Sequence, residues 1–327
     1  MRIAVTGSIA IDHLMVYPGR FAEQLIAGQL DKVSLSFLAD DLDIRRGGVA
    51  ANIALALGRL GLAPLLVGAA GVDFAAYGCF LRSNGVDTES VRVSETRRTA
   101  RFVCTTDADQ NQIATFYAGA MTEAKEIALE PTVRRAGAID LVVIAPNDPE
   151  AMLRHAEECR RQGYAFAADP SQQLARTTGD EARRLVEGAR YLFTNAYEAA
   201  LLRDHTGWSD GDILDRVGTW ITTDGAEGVR IKAAGRPTLH IPAAPTSGVA
   251  DPTGGGDALR AGFLAGVAWG LGHERAAQLG CALATVVLES VGTQEYQLSA
   301  DDLLSRLDKG YGAEAAQDLA PHLARSA

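Results

Sequence analysis

The chain has 327 residues, with 31 Lys+Arg against 41 Asp+Glu, a formal charge of −10 and a pI near 5.1. That acidic balance excludes duplex nucleic acid as a partner, since a polyanion needs a basic stripe. A composition of 47% apolar against 22% charged residues excludes a disordered chain.

In chain order, short apolar β-rich runs fall at Ile3–Val5, Leu65–Val67, Leu141–Ile144, Ala165–Ala168, Tyr191–Phe193 and Val229–Lys232. Helical patterns separate them. Asn52–Leu60 is rich in Ala and Leu and stops at Gly61, and Pro149–Gln162 opens on Asp148 and closes at Gly163. Asp180–Gly188 and Asp257–Trp269 read the same way. Strands alternating with helices predict βαβ units and a mostly parallel sheet covered on both faces. Two stretches alternate polar and apolar instead, Lys32–Arg45 (Val33, Leu35, Phe37) and Thr99–Tyr117 (Phe102, Cys104, Ile113, Tyr117). Alternation means strands with one wet face. These predict a small separate sheet, a lid, on a single domain spanning 1–327, built from about 12–46 and 99–118.

Several chemistries are absent from the sequence. Only four basic residues are lysines (Lys32, Lys125, Lys232, Lys309), none in a Gly-Lys-Ser/Thr string, so there is no Walker-type loop. GxGxxG, GxSxG and HExxH strings do not occur. Cys79, Cys104, Cys159 and Cys281 have neither a zinc spacing nor a disulfide pattern. Met1–Gly7 lacks a signal-peptide core, and the longest apolar stretch, Ala261–Leu271, is too short to span a bilayer. The expectation is a cytoplasmic protein with no membrane partner.

One string carries chemistry strongly: Asp251-Pro-Thr-Gly-Gly-Gly-Asp257-Ala-Leu-Arg-Ala-Gly-Phe263. Glycines running into a helix offer backbone N–H groups and a partial positive charge, an anion pocket that needs no lysine. An acid beside that anion makes sense if a reacting hydroxyl lies between them and gives up its proton to Asp257.

The string resembles the Asp-Thr-x-Gly-Ala-Gly-Asp motif of the ribokinase-like (PfkB) carbohydrate and nucleoside kinases. Here Gly255 stands for the usual Ala, and Leu259 for the usual Phe. Gly47-Gly48-Val-Ala-Ala-Asn52, Asn195-Ala-Tyr-Glu198 and Thr223-Asp-Gly-Ala-Glu-Gly228 match three more family motifs, in family order. Within the family, Met1–Leu14, Lys32–Leu38, Asp148–Arg176 and Leu288–Glu295 are similar to adenosine kinases of actinobacterial type.

The resemblance implies a three-layer α/β/α sandwich with a mostly parallel central sheet and a small β-lid. It implies Asp257 as catalytic base and the amides of Gly254, Gly255 and Gly256 as anion hole. Asn195, Thr223, Gly225 and Gly228 would bind ATP, with Glu198 holding Mg2+ through water; a monovalent cation such as K+ is a further candidate. Ser8, Asp12, Gly48 and Asn52 would take the sugar, Asp12 because one carboxylate accepts two hydroxyls of a vicinal diol. Phe102 and Phe116 would sandwich a purine, and Gln172 and Gln173 would read its edge. The expected reaction phosphorylates the 5′-hydroxyl of adenosine. Alternatives are a sugar kinase, in which the phenylalanines pack the lid, and a non-catalytic nucleoside or sugar sensor, against which Asp257, Asn195 and Glu198 argue. Two roles stay open: His13 as a helper near the sugar or a surface residue, and Arg260 as a phosphate support or a solvent-facing side chain. A lid sheet too small to stand alone predicts a homodimer through Val33, Leu35 and Phe37.

Overall fold

The structure is a computed structural model that describes residues 1–24 and 34–324. Among the described residues there are thirteen strands: β1 (Ile3–Thr6), β2 (Ala10–Val16), β3 (Asp41–Gly47), β4 (Leu65–Ala70), β5 (Val91–Val93), β6 (Ala100–Thr106), β7 (Gln112–Tyr117), β8 (Leu141–Ile144), β9 (Phe166–Ala168), β10 (Tyr191–Asn195), β11 (Thr219–Thr223), β12 (Val229–Lys232) and β13 (Leu239–Ile241). Nine form one sheet in the order β13-β12-β11-β10-β9-β8-β1-β4-β5. It is parallel except for β12 and β13, which return antiparallel from β11.

The central strands are buried on both faces, which is why they read as unbroken apolar runs. Along β1, Ile3 and Val5 join one core and Ala4 the other. Along β10, Tyr191 and Phe193 face the first core and Leu192 the second. Helices Val49–Arg59, Gly255–Ala268 and His273–Leu288 cover the first face; Pro149–Gln162, Gly179–Val186 and Ala196–Thr206 cover the second. The predicted bounds of Pro149–Gln162 are observed, with the Asp148 carboxylate accepting from the N–H groups of Glu150 and Ala151 at the N-terminus and Gly163 left-handed at the other end.

The second sheet has four strands in the order β3-β2-β6-β7, with β2 and β6 parallel. Its existence matches the alternating sequence, but one strand is displaced. Residues 34–40 form no strand; β3 begins at Asp41. The alternation around Phe37 is satisfied differently: its ring packs at 5.0 Å from Tyr17 and 4.8 Å from Phe21, a local aromatic cluster. Val33 lies outside the described residues. Among the described residues, no helix is long and apolar enough to cross a membrane.

Candidate active site

The sheet's chain order reverses at β1: the chain runs from β1 to β4 and β5 on one side, then to β8 and onward on the other. In open α/β sheets ligands bind beyond the carboxyl ends of strands at such a point. A cavity of about 730 Å³ opens there, lined by Ser8 beyond β1 and by Pro146, Asn147 and Asp148 beyond β8. Every residue that the sequence assigned to the substrate lines it: Ser8, Asp12, Gly48, Asn52, Phe102, Phe116, Gln172 and Gln173, together with Asp257.

Asp257 occupies the first turn of Gly255–Ala268. Gly254, at φ +82°, turns the chain into that helix, and no side chain caps it, so its leading amides carry no side-chain partner. A Cβ on Gly255 would stand 2.8 Å from Leu288 Cδ2, so an alanine here would require that side chain to shift. Asp251 braces the loop, accepting from Thr253 N at 2.9 Å and Gly292 N at 3.0 Å. Burial pushes the Asp257 carboxyl up to about 6, against the opposing pull of Arg260 and the Asn52 amide; Asp169 and Glu198 push the same way as burial.

Asn52 serves this carboxylate. Its Nδ2 donates to Asp257 Oδ2 at 2.8 Å, and its Oδ1 accepts from Gln294 Nε2 at 2.8 Å and Thr293 Oγ1 at 3.1 Å. One N–H of its amide is left for a ligand. The buried chain continues from Gln294 to the Tyr77 hydroxyl, which donates to the Gly47 carbonyl. Gln294 and Tyr77 carry no motif in the sequence and were missed. Gly48 is needed for a different reason than ligand approach: at φ +97°, a Cβ would stand 2.6 Å from the Ser8 carbonyl oxygen.

Asp12 projects from β2 with no donor to its carboxylate among the described residues. Burial, then Glu295 and Asp251, raise it to about 6. His13, next along the strand, points to the other face and meets Arg101 at 2.8 Å, so it does not reach the cavity.

The two phenylalanines do not form a sandwich. Phe102 and Phe116 are direct cross-strand partners of β6 and β7. Such side chains stand beside each other on one face, so they make one wall. Segments around Asn147 and Gln172–Gln173 supply other lining. Gln173 Nε2 donates to the Asn147 carbonyl at 3.0 Å, while Gln173 Oε1 and Asn147 Nδ2 are buried without a partner. Asn147, like Gln294, was not read from the sequence.

Asn195 and Thr223 are register partners at the carboxyl ends of β10 and β11. Gly225 makes a left-handed turn, and Gly228 must be glycine because a Cβ would stand 2.1 Å from the Ile241 carbonyl oxygen. None of these lines the 730 Å³ cavity. Asn195 and Glu198 bond each other reciprocally: Glu198 N donates to Asn195 Oδ1 at 2.8 Å, and Asn195 N to Glu198 Oε2 at 2.7 Å. That cap leaves one Glu198 oxygen, and among the described residues no group of three or more metal-ligating side chains occurs. This donor set fits a hydrated Mg2+ held through water, not a directly ligated ion. Beside the glycine loop, the Arg45 guanidinium pairs with Asp43, with Glu295 and Asp251 as more distant counter-charges. Arg260 does not face solvent: it is buried on Asp169, and a Cβ on Gly256 would stand 2.7 Å from its Nη1.

A two-layer helix cover over a parallel sheet, a switch-point cavity and a glycine-led anion pocket with an adjacent carboxylate define a phosphoryl-transferring α/β enzyme. The profile of the pfkB family carbohydrate kinases matches residues 5–300, and the chain belongs to that family. It is 31% identical over 268 residues to a nucleoside kinase of Methanocaldococcus jannaschii, covering 80% of this chain and 85% of that one. It is also similar to the structure of a nucleoside kinase of Burkholderia thailandensis in complex with inosine, with TM-score 0.83, 35% identity, and 95% and 98% of the two chains covered. The ribokinase of Arabidopsis thaliana, complexed with ribose and ATP, shares the fold at TM-score 0.76 and 20% identity over 93% and 98% of the chains. The protein is thus an ATP-dependent kinase with the ribokinase-like fold, whose acceptor is the alcohol of a sugar or nucleoside.

Proposed function

We propose that this kinase moves the γ-phosphoryl group of ATP to the 5′-hydroxyl of adenosine, giving AMP and ADP in purine salvage in the cytoplasm. One observation carries the reading: the cavity that holds Asp257 is also lined by the amide residues Asn147, Gln172 and Gln173, beside the Phe102–Phe116 wall. Side-chain amides, which both donate and accept, suit the edge of a purine, and an aromatic wall suits its face. A bare sugar needs neither. The kinship to nucleoside kinases supports the same choice.

In this reading Asp12 accepts the ribose diol, and Asp257 orients the 5′-hydroxyl and takes its proton. A carboxylate suffices because the phosphoryl-transfer transition state is loose, and the hydroxyl becomes acidic only as the new bond forms. The amides of Gly254–Gly256 stabilise charge on the transferring group. Asn195 and Glu198 would hold hydrated Mg2+, which supplies charge neutralisation on the ATP phosphates. The small sheet acts as lid and dimer surface.

The test is an ADP-release assay with ATP and Mg2+ against adenosine, inosine, other nucleosides, ribose and fructose. Turnover highest with adenosine supports the reading. Ribose or fructose turned over better than every nucleoside replaces it with a sugar kinase, and no turnover at all with a ligand bound makes it a sensor.

A further inference from the structure

Arg260 joins the catalytic helix to the turn that carries the amides. It stands one turn beyond Asp257 and is 7% exposed; Asp169, its partner, is 0% exposed. Arg260 Nε lies 2.7 Å from Asp169 Oδ2, and Nη2 donates to Asp169 Oδ1 at 2.7 Å. The same Nη2 donates to Ser171 Oγ at 3.0 Å, and that hydroxyl donates to Asp169 Oδ1 at 2.7 Å. Gln172 and Gln173 follow directly.

Ser171 is itself unusual. Its φ is +42°, in the left-handed region that a residue with a Cβ avoids. Such a conformation persists only where its surroundings over-determine it, and it clusters at ligand sites. Here the surroundings are the Arg260–Asp169 pair, which fixes the serine from its hydroxyl. Stability alone does not explain the pair, because desolvation of two buried charges commonly cancels their attraction, and an apolar pair of equal volume does as well. Arg260 also has a second neighbour. Its charge pulls against the burial of the Asp257 carboxyl, while Asp169 and Glu198 act the other way.

We infer that Arg260 is a positioning residue: it clamps the Asp169–Gln173 turn to the helix of Asp257, and so sets the distance from the base-reading amides to the carboxylate that takes the 5′-proton. The clamp has this meaning only if the cavity takes a nucleobase, as proposed above. Arginine is required because its planar fork reaches Asp169 and Ser171 together, whereas a lysine ammonium offers the charge without the fork.

The test uses 5′-deoxyadenosine, which has the base and diol but no hydroxyl to phosphorylate, so its Kd reads positioning without chemistry. Arg260→Lys should weaken that Kd by ~10-fold or more, given that a misplacement of about 1 Å can cost about 10²-fold in an aligned site. The KM for ATP, which binds away from this turn, should stay within ~2-fold. Ser171→Ala keeps the ion pair and should weaken the Kd by a smaller factor in the same direction. It also serves as the reporter if Arg260→Lys does not fold, as judged by loss of a cooperative melt. A folded Arg260→Lys protein with wild-type Kd overturns the clamp, as does an unchanged Kd in Ser171→Ala when Arg260→Lys is unfolded. Wild-type protein that binds no 5′-deoxyadenosine and phosphorylates no nucleoside removes the nucleoside reading itself, so the two failures are told apart.

Discussion

Asn52 and Asp257, 205 residues apart in sequence, meet in a 2.8 Å hydrogen bond from Nδ2 to Oδ2. The amino-terminal glycine motif and the carboxy-terminal one are therefore one site. The Asn52 carbonyl is pinned by Gln294 and Thr293, so its amide is held toward the Asp257 carboxylate. A neutral amide stabilises the ionised acid without adding charge that would hold its proton too weakly.

Asp257→Asn should leave nucleoside and ATP binding nearly intact and lower kcat by at least ~10²-fold, the usual scale for loss of a general base. It should also make the protein more stable near neutral pH. The folded carboxyl, at about 6, binds its proton more tightly than an ordinary one at 3.8, so its ionisation costs stability as pH rises through 6. The gap bounds the gain at ~3 kcal/mol, and it should vanish below the ordinary value. Melting curves at acid and neutral pH measure it; equal melting shifts at both would reject the raised value.

Activity should fall steeply as pH drops through 6. Asp12 and Asp257 are both raised to about 6, and both must be ionised, one to accept the diol and one to accept the proton. At saturating ATP, log kcat/KM for the nucleoside should approach a slope of about two on the acid side. Asp12→Asn should reduce that slope to about one, whatever it does to the rate at neutral pH.

Glu198→Gln should keep the reciprocal cap, because the amide oxygen can still accept from Asn195 N–H. It should raise the Mg2+ concentration for half-maximal activity, since the site loses the charge that attracts a hydrated cation. An unchanged Mg2+ titration would leave Glu198 only its cap.

Phe102→Ala should lower kcat/KM for adenosine by ~1–3 kcal/mol, or roughly 5- to 150-fold, and barely move the KM for ATP. Phe102→Leu separates stacking from packing: it keeps apolar volume but not the ring face. Partial recovery supports a stacked base; full recovery, with ribose as good a substrate as adenosine, points to a sugar kinase.

The protein should be a dimer through the small sheet. Leu42 and Ile44, 52% and 57% exposed, share one face of β3, with Ile113 at 45% on β7. A four-stranded sheet with such a face needs cover. Light scattering at micromolar concentration should give twice the chain mass, and Ile44→Asp should give the chain mass. A monomeric wild type refutes the interface.

What the sequence determined by itself is the local chemistry. Glycine runs need particular backbone conformations, apolar runs need burial, and Pro149–Gln162 carries its own start and stop, so the fold class and part of the lining of the cavity were legible without coordinates. The tertiary structure decided which side chains face one another. Alternation showed that Phe102 and Phe116 lie on strands, but only the register made them neighbours on one wall. Phe37 sat in an alternating stretch, yet ring contacts with Tyr17 and Phe21 took it out of the ladder. Asn147, Gln294 and Tyr77 carry no local signal, because hydrogen-bond capacity becomes a role only when the fold supplies or withholds a partner. Arg260 looks like any helix arginine until Asp169, 91 residues earlier in the chain, is brought beneath it and water is excluded from both.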